Sequence, residues 1–315
     1  MIRTYQKGHS AISKSETLPQ VLELQDLIWI DIQNSTLEEI DSIEKIYNVN
    51  IPSRLQQEEI ESSSRYIETD YGIVANSTFL QCKEDNSYER IHVSFVIKDD
   101  LLITYRENQL RSFSEVNKKI KTNNKPYFNG KKILIGLFET RIDFDADLVE
   151  NIAHQIYFIG KALIEDNGAH PDLLKKITTF QEITMQIREN IIDKQRVVSS
   201  MLKNPEFQPE DKISLEIILR DIVSLIEHTN FIFERLEYFQ NTFLGLINIE
   251  QNKIIKIFTV ASVVFMPPTL IASIYGMNLK NIPESNWSFG YPFALIMMVF
   301  SAFLTWFIFK KLRWV

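Results

Sequence analysis

Two long stretches without a charged side chain lie near the C-terminal end of this sequence. The first runs from Ile257 to Leu279 and the second from Asn286 to Phe309. Each stretch exceeds the roughly 20 apolar residues that an α-helix needs to cross a bilayer core of about 30 Å. Core helices of soluble proteins are rarely so long and so free of charge. The sequence therefore predicts an integral membrane protein with two membrane-spanning helices.

The basic residues around these stretches predict how the chain crosses the membrane. Lys253 and Lys256 precede the first stretch, and Lys310, Lys311 and Arg313 follow the second. Lysine and arginine close to membrane ends are retained on the cytoplasmic side, so both termini are predicted to be cytoplasmic. The first residues contain no apolar run of the kind found in a signal peptide. We therefore expect a multi-pass protein of the cell inner (plasma) membrane whose large N-terminal part stays in the cytosol.

Composition and motifs exclude several classes of protein. The formal net charge of -7 argues against nucleic-acid binding. The lone cysteine, Cys82, excludes a disulfide framework within one chain and a four-cysteine zinc site, and it is predicted to be a packed strand residue. The five histidines show no metal-binding spacing. The sequence has no glycine-rich phosphate loop ending in Lys-Ser or Lys-Thr, so we expect neither ATP-driven pumping nor an enzyme activity.

Strand and helix patterns alternate in the first part of the chain. The apolar run from Leu27 to Ile32 predicts a buried strand, and Thr36 to Tyr47 predicts a helix capped by Ser35 or Thr36. Further strands are predicted at Ser64 to Thr69, Gly72 to Leu80, Arg90 to Lys98 and Leu101 to Tyr105, with Asp99-Asp100 in a hairpin turn.

From about Ser112 the pattern becomes helical. Asp147 to Asn167 and Pro171 to Leu202 are long periodic segments, and Asp143, Asp145 and Asp147 are predicted to lie on or cap a helix rather than to bind calcium. The segment from Glu210 to Tyr275 is predicted to form one continuous helix about 100 Å long. Its broad apolar stripe requires cover from its own helices or from other copies of the chain.

These patterns together predict an α+β fold with three parts. The parts are a cytosolic α/β domain over residues 1–145, a stalk of long helices over 146–253 and a transmembrane domain over 254–315. Within the last part, the spans are placed at about 254–275 and 291–310, with an external loop over 276–290 and a basic cytoplasmic tail at the end.

Polar and small side chains recur every three or four residues along the first predicted span. The positions at this spacing are Asn252, Ile255, Thr259, Ser262, Met266, Thr269, Ser273 and Gly276, and all but Ile255 and Met266 are polar or small. Two interpretations of this polar stripe are open, because such residues mark helix-to-helix packing in membranes and also line water-filled paths. Pro267 and Pro268 remove backbone donors near mid-membrane, which is tolerated where neighbours or water compensate.

The tetrapeptide Tyr275-Gly276-Met277-Asn278 ends this stripe at the predicted outer face. One interpretation is a helix terminus, since glycine favours the C-terminal cap and an aromatic residue favours the membrane interface. The other is a pore mouth where several copies of the chain gather the amide oxygens of Asn278 into a ring. Such a ring suits magnesium, which sheds its water reluctantly and is recognised through its hydration shell.

The run from Ser273 to Asn278, followed by Pro283-Glu284, Trp287 and Gly290-Tyr291-Pro292, resembles the CorA family of magnesium and cobalt transporters. The same resemblance holds for Trp29-Ile30-Asp31, Leu137-Phe138-Glu139-Thr140, Gly245-Leu246-Ile247-Asn248 and the basic tail from Lys310 to Val315. It covers nearly the whole chain. It implies a funnel-shaped homopentamer in the lipid bilayer, with the first membrane helix lining a pore and the second packing outside it.

The resemblance also implies roles for individual residues. Gly276, Met277 and Asn278, with Tyr275, are the implied selectivity filter, and Asn252 is an inner polar ring required for permeation. The implied pore-facing residues are Met266 and Thr269, together with Ile255 and Phe258 near a hydrophobic constriction that blocks ions by dewetting. Asp221 matches a family position for regulatory magnesium, and a solvated carboxylate on a helix face is the other open interpretation of this residue. Glu284 is the only acid of the external loop, because Lys280 stands where many members carry an acidic residue.

The function implied by the resemblance is a passive channel for magnesium and also cobalt, with nickel as a further cargo. Cytosolic magnesium is implied to bridge acidic residues between subunits and hold the pore shut, and no catalytic cofactor is expected. A divalent ion that enters a cell at about 100 mV gains roughly 4.6 kcal/mol, which suffices for uptake without ATP. Two alternatives stay open: a zinc transporter of the same fold, which Met277 disfavours, and a membrane-anchored coiled-coil scaffold that transports nothing.

Overall fold

A computed structural model describes residues 1–7, 12–15, 26–58, 65–83, 87–165, 171–277 and 287–312. The strands are β1 (Ile2–Lys7), β2 (Ile12–Ser15), β3 (Leu27–Gln33), β4 (Tyr66–Thr69), β5 (Gly72–Cys82), β6 (Tyr88–Lys98) and β7 (Leu101–Arg106). The helices are α1 (Leu37–Tyr47), α2 (Arg54–Glu58), α3 (Arg111–Thr122), α4 (Gly130–Glu165), α5 (Pro171–Lys203), α6 (Pro209–Gly276) and α7 (Gly290–Lys311). The chain divides into two compact units, and the boundary within α6 lies between Phe239 and Gln240.

The first unit is built around a mixed seven-stranded sheet in the order β2-β1-β3-β7-β6-β5-β4. Only the β3–β7 pair is parallel among the pairs of described strands. Strand β3 lies inside the sheet and is buried on both faces, which explains its continuous apolar run. On one face Ile30 and Ile32 pack with Ile40 and Ile43 of α1.

An aromatic cluster covers the other face of the sheet. The ring of Phe138 on α4 lies 5.3 Å from that of Phe95 and 6.3 Å from that of Phe79, measured between centroids. Phe113 of α3 lies 6.1 Å from Trp29, the largest fully buried side chain among the described residues. Each such aromatic side chain buries a large apolar area, so this layer of helices is fixed firmly to the sheet.

Most of the predicted elements of the first unit are confirmed. Thr36 caps α1 in a capping box: its hydroxyl accepts from Glu39 N at 3.3 Å, and the Glu39 carboxylate accepts from Thr36 N at 3.1 Å. Asp99 lies in the turn between β6 and β7 with a left-handed φ of 53°. Asp143, Asp145 and Asp147 lie within α4, as expected.

Two predictions were wrong in detail. Cys82 is exposed at the end of β5 and is not packed. The helix expected to begin at Asp147 begins at Gly130, because the amide oxygen of Asn129 accepts from Lys132 N at 2.9 Å and caps a much longer helix. Strands β1 and β2 were not predicted, since polar residues interrupt their short apolar runs.

A buried charge cluster, defined as Arg141, Asp145, Asp193, Lys194 and Arg65, joins α4, α5 and β5 in the first unit. Asp145 pairs with Arg141 and lies 3.1 Å from the ammonium of Lys194. Asp193 accepts from Thr78 N of β5 at 2.8 Å and pairs with Arg65 at 2.9 Å. The cluster holds three cations and two carboxylates, so it carries one excess positive charge in the interior.

Burial sets the ionisation of this cluster. Removal from water lowers the pKa of the fully buried Lys194 to about 8, although Asp145 acts in the opposite direction. Burial alone would raise the pKa of Asp145, but the charges of Arg141 and Lys194 outweigh it and hold that pKa below its ordinary value. The carboxylate of Asp145 is therefore the charge that keeps two cations in the core.

Candidate ion pathway

Two helices in the described part of the chain are long and apolar enough to cross a membrane, namely α6 and α7. With 22 residues, α7 is about 33 Å long, which matches a bilayer core. With 68 residues, α6 is about 100 Å long and continues far beyond the thickness of a membrane. Of the two stretches without charge that the sequence singled out, the first is helical over residues 257–276 and the second over residues 290–309.

No side chain of α6 from Gln251 onward is buried within the single chain. Ile255, Phe258 and Met266 are 60%, 70% and 65% exposed. On α7, Gly290 and Ala294 alone are buried among the described residues. Helices this apolar are not stable with such surfaces in water, so lipid or other copies of the chain must cover them.

Aromatic and basic side chains lie at the two ends of α7. Near its start, the rings of Trp287 and Phe293 lie 6.2 Å apart in an edge-to-face arrangement. Near its end, the ammonium of Lys310 lies 5.0 Å from the ring of Trp306. Tryptophan at the interface level and lysine extended toward water are typical of both ends of a membrane-spanning helix.

Pro267 and Pro268 lie inside α6 without interrupting it. Neither can donate a backbone hydrogen bond, so the carbonyls of Val263 and Val264 lose the donors that a regular helix provides. The Thr269 hydroxyl donates to the carbonyl of Phe265 at 2.8 Å. The helix thus has its weakest backbone bonding beside the predicted pore-facing residues Met266 and Thr269.

The structure places the other predicted residues as follows. Asn252, Ile255 and Phe258 lie on α6 and are exposed, and Tyr275 and Gly276 form its last turn. Met277 follows, and its N–H donates to the carbonyl of Ile274 at 3.3 Å. Asn278 and Glu284 lie outside the described residues. A single chain shows no ring, so the filter assignment stays a prediction.

Asp221, the predicted regulatory residue, lies in the first unit on an exposed turn of α6. It lines a groove between α6 and α4 together with Asp143, Glu150 and His228. Among the residues that the structure describes, no group of three or more His, Cys, Asp or Glu side chains is close enough to hold a metal ion. A single chain therefore provides acidic groups around Asp221 but no complete coordination shell.

The polar stripe of α6 extends further than the sequence-based prediction. Asn248, Gly245 and Asn241 precede Asn252 at intervals of three or four residues, and all three are exposed. The signal that reveals this extension is the unbroken helix, since the prediction of the stripe began at Asn252.

Comparisons with known proteins agree with the fold and the motifs. A family model described as CorA-like Mg2+ transporter protein matches residues 24–311. A magnesium transport protein CorA of Wolinella succinogenes is 39% identical over 295 residues, which cover 92% of this chain and 91% of that protein. The CorA of Escherichia coli K12 is 31% identical over the full length of both chains. The complete CorA structure from Methanocaldococcus jannaschii superposes with a TM-score of 0.84 at 21% identity, covering 100% of this chain and 99% of that one.

Proposed function

The chain belongs to the CorA-like Mg2+ transporter family, and on this premise we propose that it is a passive channel through which the membrane potential drives Mg2+ into the cell. The observation that carries the proposal is the unbroken helix α6, which bears one polar stripe and leaves it exposed. A helix of about 100 Å can line a path from the cytosol to the far side of the membrane.

The proposed channel is a homopentamer in the cell inner membrane, with both termini in the cytosol. Residues 1–145 and 146–253 form its cytosolic domain and stalk, and residues 254–315 form its membrane domain. The exposed apolar side chains of α6 and α7 support an assembly, because neighbouring copies and lipid would cover them. Five copies would bring five polar stripes around one axis.

Selection in this channel acts on the hydrated ion. Gly276, Met277 and Asn278 form the filter, and the amide oxygens of Asn278 accept hydrogen bonds from the water around Mg2+. Met266 and Thr269 then line the path, and Asn252 supplies an inner polar ring. Ile255 and Phe258 narrow the path with apolar side chains, where loss of water blocks ions in the closed state.

Reconstituted protein should admit Mg2+ when a potential is applied. We expect purified protein in liposomes with an inside-negative potassium diffusion potential to raise the signal of an internal Mg2+ dye. Vesicles without protein and vesicles without potential are the controls. Co2+, Ni2+ and Zn2+ offered separately test the cargo, and we expect Co2+ to enter and Zn2+ to be disfavoured. Absence of Mg2+ influx would favour the scaffold alternative, and preferential Zn2+ influx would favour the zinc alternative.

We further propose that cytosolic Mg2+ favours the closed state by binding near Asp221. The carboxylates of Asp143 and Glu150, which line the same groove as Asp221, support this, and the missing ligands would come from a neighbouring copy. Limited proteolysis of the assembled protein should therefore be slower in millimolar Mg2+ than in chelator.

Asp221→Lys should remove that difference, because the new ammonium occupies the position of the cation. Glu227→Lys is a matched control on an exposed turn of α6. Equal proteolysis with Mg2+ and with chelator in the unmodified protein would contradict the gating proposal.

A further inference from the structure

An open cavity of about 230 Å3 lies between strand β1 and helix α3 in the first unit. Arg3 and Tyr5 line one side, because alternate residues of a strand point to the same face of a sheet. Ser114, Asn117 and Lys118 line the other side, since residues three and four apart share one face of a helix. Pockets for drug-sized ligands measure about 300–1,000 Å3, so this cavity suits a smaller molecule or ion. We call it the β1–α3 cavity.

Asp31 of β3 also lines the β1–α3 cavity, and it already binds two guanidinium groups. Its Oδ2 atom accepts from Arg106 Nη2 at 2.7 Å and from Arg3 Nη1 at 3.3 Å. Its Oδ1 atom accepts from the Thr104 hydroxyl at 3.1 Å. Asp31 and Arg106 are almost fully buried. Two cations share one carboxylate, so one positive charge is in excess beside the cavity.

Most of the donors of Arg3 lack a strong acceptor among the described residues. A guanidinium group has five N–H donors. Apart from the bond to Asp31, Arg3 Nη2 donates to the sulfur of Met1 at 3.1 Å, and sulfur is a weak acceptor. The Nε atom of Arg3 is buried and has no hydrogen-bond partner in the described part of the chain. An unpaired buried donor costs free energy, and more so when it is charged, so Arg3 favours an acceptor in the cavity.

Helix α3 adds another cation and an unpaired acceptor. The ammonium of Lys118 is exposed and lies 2.7 Å from the carboxylate of Glu115. These two charges cancel, so the excess positive charge beside Asp31 remains. Asn117 Oδ1 is buried, and no hydrogen bond from a described residue reaches it. The features of the cavity therefore match an anion that accepts several hydrogen bonds and also donates one.

We propose that the β1–α3 cavity is a binding site for hydrogen phosphate. The three unprotonated oxygens of this ion accept hydrogen bonds from the guanidinium of Arg3, the ammonium of Lys118 and the hydroxyl of Ser114. Its single O–H donates to Asn117 Oδ1. The negative charge of the ion offsets the excess positive charge beside Asp31. This site is independent of the proposed channel.

The unpaired acceptor distinguishes hydrogen phosphate from other small anions. Sulfate has the same double charge but carries no proton at neutral pH, so it presents only acceptors to Asn117 Oδ1. The dianion of a phosphate monoester also lacks the O–H, and the nucleoside of a nucleotide needs more room than this cavity has. An unpaired buried acceptor costs roughly a factor of ten in affinity. We therefore expect hydrogen phosphate to bind at least about tenfold more tightly than sulfate.

Equilibrium dialysis of radiolabelled phosphate against the full-length protein in detergent tests the site. A chelator and a constant ionic strength are used, so that bound Mg2+ does not carry phosphate to the protein. Arg3→Gln should weaken phosphate binding at least about tenfold, since it removes the charged donors. Lys118→Gln should weaken it about twofold to fivefold, as expected for an exposed charge. Lys121→Gln is the matched control on the same helix, where it is exposed outside the cavity, and it should bind phosphate normally.

Asn117→Asp supplies a test that spares both cations. The new carboxylate repels the anion and should abolish measurable phosphate binding. Urea unfolding without phosphate shows which variants fold, and Lys118→Gln and Asn117→Asp decide the result if Arg3→Gln does not. The site is overturned if the unmodified protein binds no phosphate saturably, or if the folded variants bind it as the control does. Displacement of phosphate by equal concentrations of sulfate or AMP would overturn the assignment to hydrogen phosphate.

Discussion

Asn278→Ala is expected to reduce potential-driven Mg2+ influx to the level of vesicles without protein. In the proposed filter, the Asn278 amides of several subunits accept hydrogen bonds from the hydration shell of the ion. A hydrogen bond that involves a charged partner contributes about 1.5–3 kcal/mol, and alanine removes it from every subunit at once. The loss therefore exceeds about a hundredfold, because each 1.4 kcal/mol corresponds to a factor of ten.

The control for this prediction is another external-loop amide, Asn281→Ala, which should conduct normally. Size-exclusion chromatography in detergent should give the same oligomer for both variants and for the unmodified protein. Influx that survives in Asn278→Ala would show that the filter lies elsewhere. Loss of influx together with a smaller oligomer would assign Asn278 to assembly rather than to ion selection.

The membrane helices were predictable from sequence because their signal is local. The absence of charge from Ile257 to Leu279 and the helical spacing along α6 are properties of neighbouring residues, and the structure confirms an unbroken helix over Pro209–Gly276. The strands β3 and β5 were equally clear, since each is a β-branched or apolar run between turn residues. The family motif then related these elements to a membrane transporter.

The ring at Asn278 could not be derived in this way, because a ring needs several copies and one sequence records only one. The partners of Asp221 raise the same difficulty, since the acidic side chains near it do not complete a metal site among the residues that the structure describes.

The buried charge cluster could not be predicted from the sequence for another reason, because its residues pair over long distances in the chain. Lys194 and Asp145 are far apart in sequence and meet only when α4 and α5 pack on β5. From the sequence, Asp145 appeared as one of three alternating aspartates on a helix. Its neighbours Asp143 and Asp147 are indeed exposed, but Asp145 is almost fully buried.

Asp145→Asn is expected to lower the free energy of unfolding of the first unit by about 3–5 kcal/mol at neutral pH, the usual cost of breaking a buried ion pair from one side. The neutral amide cannot balance Arg141 and Lys194, which are both buried. Arginine does not deprotonate in proteins, so only Lys194 can relieve the excess charge. Asp147→Asn is the matched control, since its carboxylate is exposed on the same helix, and it should change stability little.

The stability difference between Asp145→Asn and the unmodified protein should depend on pH, and the pKa of Lys194 sets the direction of this dependence. In the unmodified protein the pKa of Lys194 is about 8, below the ordinary 10.5, so the unfolded chain binds more protons between these values. The contribution of Lys194 to the free energy of unfolding therefore rises between about pH 8 and pH 10.5. Without Asp145 the pKa of Lys194 falls further. The stability of Asp145→Asn therefore begins to rise at a lower pH than that of the unmodified protein. The difference between Asp145→Asn and the unmodified protein should consequently narrow as the pH approaches 8.

Urea unfolding followed by the fluorescence of Trp29 measures these differences. Trp29 is fully buried in the first unit, and Trp287, Trp306 and Trp314 can be replaced by phenylalanine so that it reports alone. A difference between Asp145→Asn and the unmodified protein that stays constant from pH 6 to 8 would mean that Lys194 keeps its proton without Asp145. A difference no larger than that of Asp147→Asn would mean that the interior tolerates two unpaired cations, and the cluster would then contribute nothing to holding α4 and α5 on the sheet.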